Sequence, residues 1–306
     1  MAVLIFSDKA NLALELLTAA EAIGEKAKIL VINDDEQAEI LAHAGAEVYK
    51  INNNNDVVLA DTAQIAAVVK EAACKLGADI VLLSSNRRGK ELAGRLAQKM
   101  GAGCLTDVSS MEINGGRIEC KRNALGGATV ATQYINTDKK VIAVAPRSFA
   151  PYAGSGGKVE ELALDLPAAA VKVLEVKAKE TDTVDIAAAD KLVAVGQGLN
   201  SKEDLPMIEE LAKKIGAEVA CSKPLATDKK WLPEERVIGL SGKICKPELA
   251  ILLGISGQVQ FTVGIRDAKV IVAINTDENA NINAMADYIL TADLHEAVKE
   301  MNKLLG

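Results

Sequence analysis

Apolar residues in the first hundred positions follow two alternating rhythms. Val3–Phe6, Lys28–Ile32, Glu47–Ile51 and Asp79–Leu83 are short aliphatic-rich runs, and they predict buried strands. Between the runs, apolar positions recur at helical spacing, as do Leu12, Leu16, Ala19, Ala20 and Ile23 within Asn11–Ile23. Glu36–Ala44, Ala60–Leu76 and Gly89–Met100 predict further helices, with Gly45, Gly77 and Gly101 standing just past their ends as stop signals. Asn33-Asp34 and Asn52–Asn55 read as loops. Strand and helix in strict alternation predict a parallel sheet covered on both faces.

After Met100 the rhythm changes. Asp107–Ile113 and Arg117–Arg122 flank Asn114-Gly115-Gly116, a hairpin signal, and Val141–Val144 closes the region as a strand. Pro146–Lys158 carries Pro151, Gly154, Gly156 and Gly157, and the segment from there to about Asp190 is rich in Ala, Lys, Glu and Asp. It reads as a strand and a crossing linker. A second α/β unit begins at Lys191. Leu192–Val195, Glu218–Ala220, Lys269–Ile274 and Asp287–Leu290 predict strands, while Glu203–Ile215, Pro247–Leu253 and Leu294–Leu305 predict helices. The expected fold is therefore α/β, with two parallel-sheet α/β domains at 1–187 and 188–306, the C-terminal one doubly wound. No repeat of fixed period emerges.

Composition narrows the function. The chain has 306 residues, 49% hydrophobic but only 3% aromatic, so its cores are aliphatic, as parallel sheets require. A net charge of −7 argues against a nucleic-acid partner. No uncharged apolar run reaches the roughly 18–20 residues of a membrane span, so no membrane insertion is expected. The opening MAVLIFSDKA has no basic region and meets Asp8 at once, unlike a signal peptide, which makes the expected compartment cytoplasmic.

Much familiar chemistry is missing. Cys74, Cys104, Cys120, Cys221 and Cys245 are scattered with no CxxC pair, and isolated buried thiols are expected. His43 and His295 fall in helical surface patterns and read as solvated structural rings, with no Cys or carboxylate at metal spacing; the metal expectation is none. With so little histidine there is no triad or zinc motif, and no catalytic residue is expected. A P-loop is absent, because Gly242-Lys243 is followed by Ile244 and the earlier glycine position holds Val237.

What remains is glycine at strand ends. Val195–Leu199, Ile238–Lys243 and Gly254–Gly257 are glycine-rich turns, and in a doubly wound sheet several of them gather at one edge. Gly196-Gln197-Gly198 sits between strand and helix, but Ser201 occupies the third glycine position of a dinucleotide fingerprint, so a nicotinamide dehydrogenase rests on little. Gly254-Ile255-Ser256-Gly257 ahead of Gln258–Val263 would present free N–H groups to a phosphate, and Ser241 offers a hydroxyl on the middle turn. Two readings stay open: a nucleotide-like ligand, or glycines placed for close packing.

Seven blocks occur in the order of one family: Val195–Leu199, Ala220–Pro224, Ile238–Lys243, Lys246–Leu249, Gly254–Gln260, Lys269–Asp277 and Ala286–Tyr288. From about Lys191 to the C-terminus the chain resembles the FAD-binding domain of the electron transfer flavoprotein α subunit. The N-terminal half resembles the same subunit more weakly, and Asn86-Arg87-Arg88-Gly89-Lys90 is similar to the bacterial branch linked to carnitine metabolism and nitrogen fixation.

The resemblance implies FAD as cofactor and a heterodimer with an electron transfer flavoprotein β subunit. It also implies a dehydrogenase as electron donor, of acyl-CoA type or similar, and a redox acceptor. A flavin-poor nucleotide-binding or scaffold paralogue is the alternative. Electron carriage by a cofactor needs no protein nucleophile, which agrees with the missing triad.

By the resemblance, Ser241 stands where a hydroxyl approaches the flavin, with Gly242 beside it. Ser256 and Gly257 match the turn serving the phosphates, and a bulky side chain at Gly257 is expected to block that approach. Asn275 and Asp293 match positions near the adenosine end. Ser222 matches a pocket serine, Gln260 a glutamine beside the flavin, and Gly196 and Gly198 the first turn. Departures occur at Gln197 and Lys223, where the family has Arg, and at Phe261, where it has His; Asn281-Ile282-Asn283 replaces a Pro-Ile-Phe-like segment. Each of the first three removes a cation, a donor or a planar charge. A low-potential FAD is expected, with Lys229, Lys230 and Lys243 as available substitutes.

Overall fold

The computed structural model describes residues 2–52, 57–127, 129–176 and 184–306. All but Asn52 of the loop expected at Asn52–Asn55 lies outside the described residues. Two compact units divide between Val176 and Lys177.

The first unit opens with β1 (Ala2–Phe6), α1 (Ala10–Ala22), β2 (Ala27–Ile32), α2 (Asp35–His43), β3 (Glu47–Ile51), α3 (Thr62–Leu76), β4 (Ala78–Ser84) and α4 (Arg87–Met100). It continues with β5 (Gly103–Asn114), β6 (Arg117–Ala124), β7 (Thr129–Tyr134), β8 (Lys140–Val144) and β9 (Lys158–Glu161). One nine-stranded sheet results, in the order β7-β6-β5-β8-β4-β1-β2-β3-β9. Its pairs are parallel except β5–β6 and β6–β7, the hairpin and its extension.

The period of two in the sequence decides the layers. Leu4 and Phe6 of β1 face one core with Ile65 of α3 and Leu92 of α4. Val3 and Ile5 face the other, with Leu16 of α1 and Leu41 of α2. Caps fix the helix starts: Asp61 accepts from the N–H groups of Ala63 and Gln64 at 3.1 and 3.0 Å, and Asn86 from that of Gly89 at 2.8 Å. β7 stands outside the expected elements, and β9 falls in the segment read as a strand and a crossing linker, without bounds given for it. Both are edge strands exposed on both faces for nearly their whole length, so no buried stripe marks them.

The second unit holds β10 (Lys191–Val195), α5 (Leu205–Ile215), β11 (Glu218–Cys221), α6 (Lys223–Thr227), β12 (Leu249–Leu253), α7 (Val259–Thr262), β13 (Ile271–Asn275), β14 (Tyr288–Thr291) and α8 (Leu294–Leu304). Its sheet runs β11-β10-β12-β13-β14, all parallel. Ile186, ahead of β10, is fully buried in this unit's core.

The helix expected at Pro247–Leu253 is a correction: Leu249–Leu253 is β12, hydrogen-bonded to β10 and β13. A five-residue aliphatic run covered on both faces has no period to read, and the interior position of the strand decides the matter. Among the described residues no helix is long and apolar enough to cross a membrane.

Candidate functional site

In the second sheet the chain leaves β10 toward β11 on one side and returns to β12 on the other. Between β10 and β12 the winding reverses, and the crevice outside their carboxyl ends is where such folds take ligands. A cleft of about 590 Å³ opens there, lined from the ends of β10, β11, β12 and β13. That volume suits a small-molecule site.

Close packing of turns shapes its floor. Gly198 donates its N–H to the Gly254 carbonyl at 3.0 Å, and Gly196 to that of Leu253 at 2.8 Å. A Cβ on Gly196 would meet the Gly254 oxygen at 2.4 Å, and one on Gly198 the Gly254 Cα at 2.7 Å. Gly257 has φ +86° and its Cβ would lie 2.1 Å from the Ile282 nitrogen. What a side chain at Gly257 meets first is therefore this chain's own backbone. A Cβ on Gly242 would fall 2.2 Å from the Val237 oxygen. Its N–H closes a turn on the Gly239 carbonyl at 3.0 Å, which carries Ser241 at the tip. The Leu240 N–H pins that turn to the Gln260 carbonyl at 2.8 Å.

Of the sequence-predicted residues, Gly196, Gln197, Gly198, Ser222, Lys223, Ser241, Ser256, Gln260, Phe261 and Asn275 line the cleft. Gly242, Gly257 and Asp293 do not. Asp293 caps α8, accepting from the N–H groups of His295 and Glu296 at 2.8 and 3.3 Å. Asn275 knits the wall: its Nδ2 donates to the Ile255 carbonyl at 2.9 Å and its Oδ1 accepts from the Asp277 N–H at 3.0 Å. Among the lining residues, Thr227, Asp228 and Ala280 lie in none of the quoted blocks, and Pro224, Gln258 and Asp277 lie in them without having been named as site residues. Asp277 was within reach, since it closes the Lys269–Asp277 block three residues past the predicted strand.

The electrostatics of the lining are unusual for an anion site. Lys223 is its one cation, against Asp228 and Asp277. Lys229 is engaged elsewhere, its Nζ donating to the Leu199 carbonyl at 3.1 Å and lying 4.1 Å from the Trp231 ring centre. Anion binding falls instead to the main chain. The N–H groups of Ser256, Gly257, Gln258, Val259 and Gln260 find no acceptor among the described residues; donation resumes at Phe261, to Gln258 at 2.9 Å. α7 is a single turn, so these local N–H groups, rather than a summed dipole, attract negative charge.

Other chemistry is quiet. Burial pushes the Cys221 thiol beside the cleft up to about 12 and Cys120 to about 11, so both stay protonated. Cys74 and Cys104 are exposed, correcting the expectation of buried thiols throughout. His295 is not simply solvated either: Nε2 pairs with Asp204 at 2.7 Å and Nδ1 with Asp293 at 3.2 Å. Asp204 holds its pKa above the ordinary value. Among the described residues no cluster of three or more His, Cys, Asp or Glu could hold a metal.

The fold and cleft define a two-unit α/β protein whose second unit is built to hold a nucleotide-type ligand at its switch point. Residues 185–266 match the electron transfer flavoprotein FAD-binding domain, and residues 7–195 match the electron transfer flavoprotein domain. Protein FixB of Escherichia coli O6:K15:H31 (strain 536 / UPEC) is 35% identical over 294 residues, 94% of this chain and 93% of that protein. Protein FixB of Shigella dysenteriae serotype 1 (strain Sd197) is 34% identical over 293 residues, with the same coverage of 94% and 93%. A solved chain described as a thiamin diphosphate-dependent enzyme from Mycobacterium smegmatis covers 98% of this chain and 55% of its own, at 13% identity and a TM-score of 0.25, too low to carry an argument. The chain belongs to the electron transfer flavoprotein family as an α subunit, and its cofactor is FAD.

The cleft fits that cofactor. Its volume, the five unaccepted N–H groups and the apolar wall of Ile238, Ile255, Phe261 and Ala280 suit a ligand that is anionic at its centre and aromatic at its ends.

Proposed function

We propose that this chain is the FAD-holding half of a cytoplasmic heterodimer with an electron transfer flavoprotein β subunit. It takes electrons from a flavoprotein dehydrogenase, of acyl-CoA type or similar, and passes them to a redox acceptor. The observation that carries the reading is the row of unaccepted N–H groups from Ser256 to Gln260 beside a switch-point cleft almost without cations. A pyrophosphate there is held by main-chain donors, which fix position without adding side-chain charge.

Each residue then has a limited task. Ser256, Gly257 and Gln258 supply N–H donors to the phosphates. Ile238, Ile255 and Phe261 exclude water from the ring. Ser241, whose hydroxyl is without a partner among the described residues, is free to donate to the ligand, and Lys223 is the one positively charged side chain in the described lining. Asn275 keeps the wall closed, and Asp277 presents acceptors to ligand hydroxyls. FAD itself, when bound, supplies the electron-accepting and electron-donating chemistry.

The test is co-expression with the neighbouring β-type subunit, followed by absorbance and mass analysis of what is bound. One FAD per heterodimer, lost when Ser256–Gln260 is replaced by a loop with fewer free N–H groups, is the expected result. A folded complex that takes up no FAD from an excess would overturn the reading in favour of the flavin-poor paralogue.

A further inference from the structure

The first unit has a switch point of its own. β1 pairs in parallel with β2 on one side and β4 on the other, so the winding reverses between β1 and β4. The carboxyl ends of these strands, Phe6 and Ser84, border a void of about 10 Å³. Ser84 is 4% exposed, lines that void, and its Oγ has no hydrogen-bond partner among the described residues. A buried hydroxyl left unpaired costs stability and points to a missing acceptor or donor.

The N-terminus of the fourteen-residue helix α4 borders the same void. Asn86 caps only the Gly89 N–H, at 2.8 Å, so the N–H groups of Arg87 and Arg88 remain open. A Cβ on Gly89 would lie 1.8 Å from the Ser84 oxygen, so the helix end is pressed directly onto the end of β4. Over the void lies an ion pair: Arg88 Nη1 to Asp8 Oδ2 at 2.9 Å, with Asn86 Nδ2 donating to Asp8 Oδ1 at 3.3 Å. Arg88 is 44% exposed in this pair, and such solvent-facing pairs open at little cost.

We propose that this switch point is an oxyanion site, closed here by the Asp8–Arg88 pair. Its ligand is a tetrahedral oxyanion: free phosphate or the phosphate group of a small ester. Turning Arg88 away from Asp8 releases a guanidinium able to grip two oxygens, beside the open N–H groups of α4 and the Ser84 hydroxyl. Asp8 acts as the internal competitor, occupying the Arg88 guanidinium when no ligand does. All of these residues belong to the first unit, so the inference stands apart from the flavin reading.

The experiment uses the full chain as purified with its bound cofactor and titrates it with inorganic phosphate and, separately, ribose 5-phosphate. Binding is followed by calorimetry and by the protection of thermal unfolding. Wild-type protein should bind saturably, and Ser84→Ala and Arg88→Gln should each weaken binding at least about tenfold, the loss of one charge-assisted contact. Asp8→Asn should tighten it, a direction that a merely structural ion pair does not give. Tighter binding of ribose 5-phosphate identifies an ester ligand, and tighter binding of inorganic phosphate the free ion. If wild type and Asp8→Asn both show no binding, or if the Ser84 and Arg88 variants bind as wild type does, the proposal fails.

Discussion

Replacing Gly257 by alanine separates two roles that its turn could serve. If the glycine is there only to let a phosphate approach, FAD-free protein tolerates the methyl group and only cofactor binding suffers. The structure argues otherwise. The methyl would lie 2.1 Å from the Ile282 nitrogen and 2.6 Å from its Cα, backbone atoms that cannot rotate aside. A non-glycine residue in this left-handed region costs about 1–2 kcal/mol, and forced overpacking about 1–3 kcal/mol more. The Ile282 N–H bond to the Ser256 carbonyl, 3.2 Å long, is placed at risk as well.

A total near 3 kcal/mol lowers the melting temperature of a unit this size by about 10 °C. Scanning calorimetry of the FAD-free protein measures this directly. Ser256→Ala is the companion variant: Ser256 is exposed and the substitution keeps its main-chain N–H, so FAD-free stability should stay within about 0.5 kcal/mol of wild type and FAD should still bind. If FAD-free Gly257→Ala melts with wild type and loses only its cofactor, the packing argument is wrong.

Phe261→His should raise the potential of bound FAD by about 65–130 mV, the equivalent of one charge-assisted hydrogen bond of about 1.5–3 kcal/mol. Spectroelectrochemical titration reads this, and an unchanged potential would mean that the missing imidazole does not set it. His295 predicts a pH dependence of the second unit. Its pKa is raised by Asp204, so the pair's contribution is complete below the unfolded value near 6.5 and is lost as pH rises through the higher folded value. The gap in melting temperature between wild type and Asp204→Asn should therefore be wider at pH 6 than at pH 9, and an equal gap at both would refute the linkage. Asp293 acts with the opposite sign: its pKa is lowered by the N–H groups of His295 and Glu296, so its contribution is complete above the unfolded value and is lost as pH falls through the lowered folded value.

How far the fold was legible follows from where each element sits. β1 could be read because both of its faces are buried and its flanking helices keep their period. β12 could not be distinguished from a helix, since Leu249–Leu253 is apolar throughout and only its neighbours β10 and β13 make it a strand. β7 left almost no trace, and β9 could be expected but not bounded, because edge strands have little to bury. The site was legible where glycine and serine follow strands, which is why Gly196, Gly198, Ser222, Ser241 and Ser256 come together around one cleft. Thr227 and Asp228 were not, because they reach it from the far end of α6, and no local pattern announces that.

The glycine turns left two readings open, ligand contact or close packing, and the structure makes the second a condition of the first. Gly198 and Gly254 lie too close for a Cβ on either, and this contact brings the ends of β10 and β12 together at the switch point. Gly257 in turn lets the chain run against Ile282 while five successive N–H groups go without acceptors. A larger residue at any of these positions would disturb the main-chain donors before it touched a ligand. With one lysine and two aspartates in the lining, those donors are what the cleft has to hold an anion.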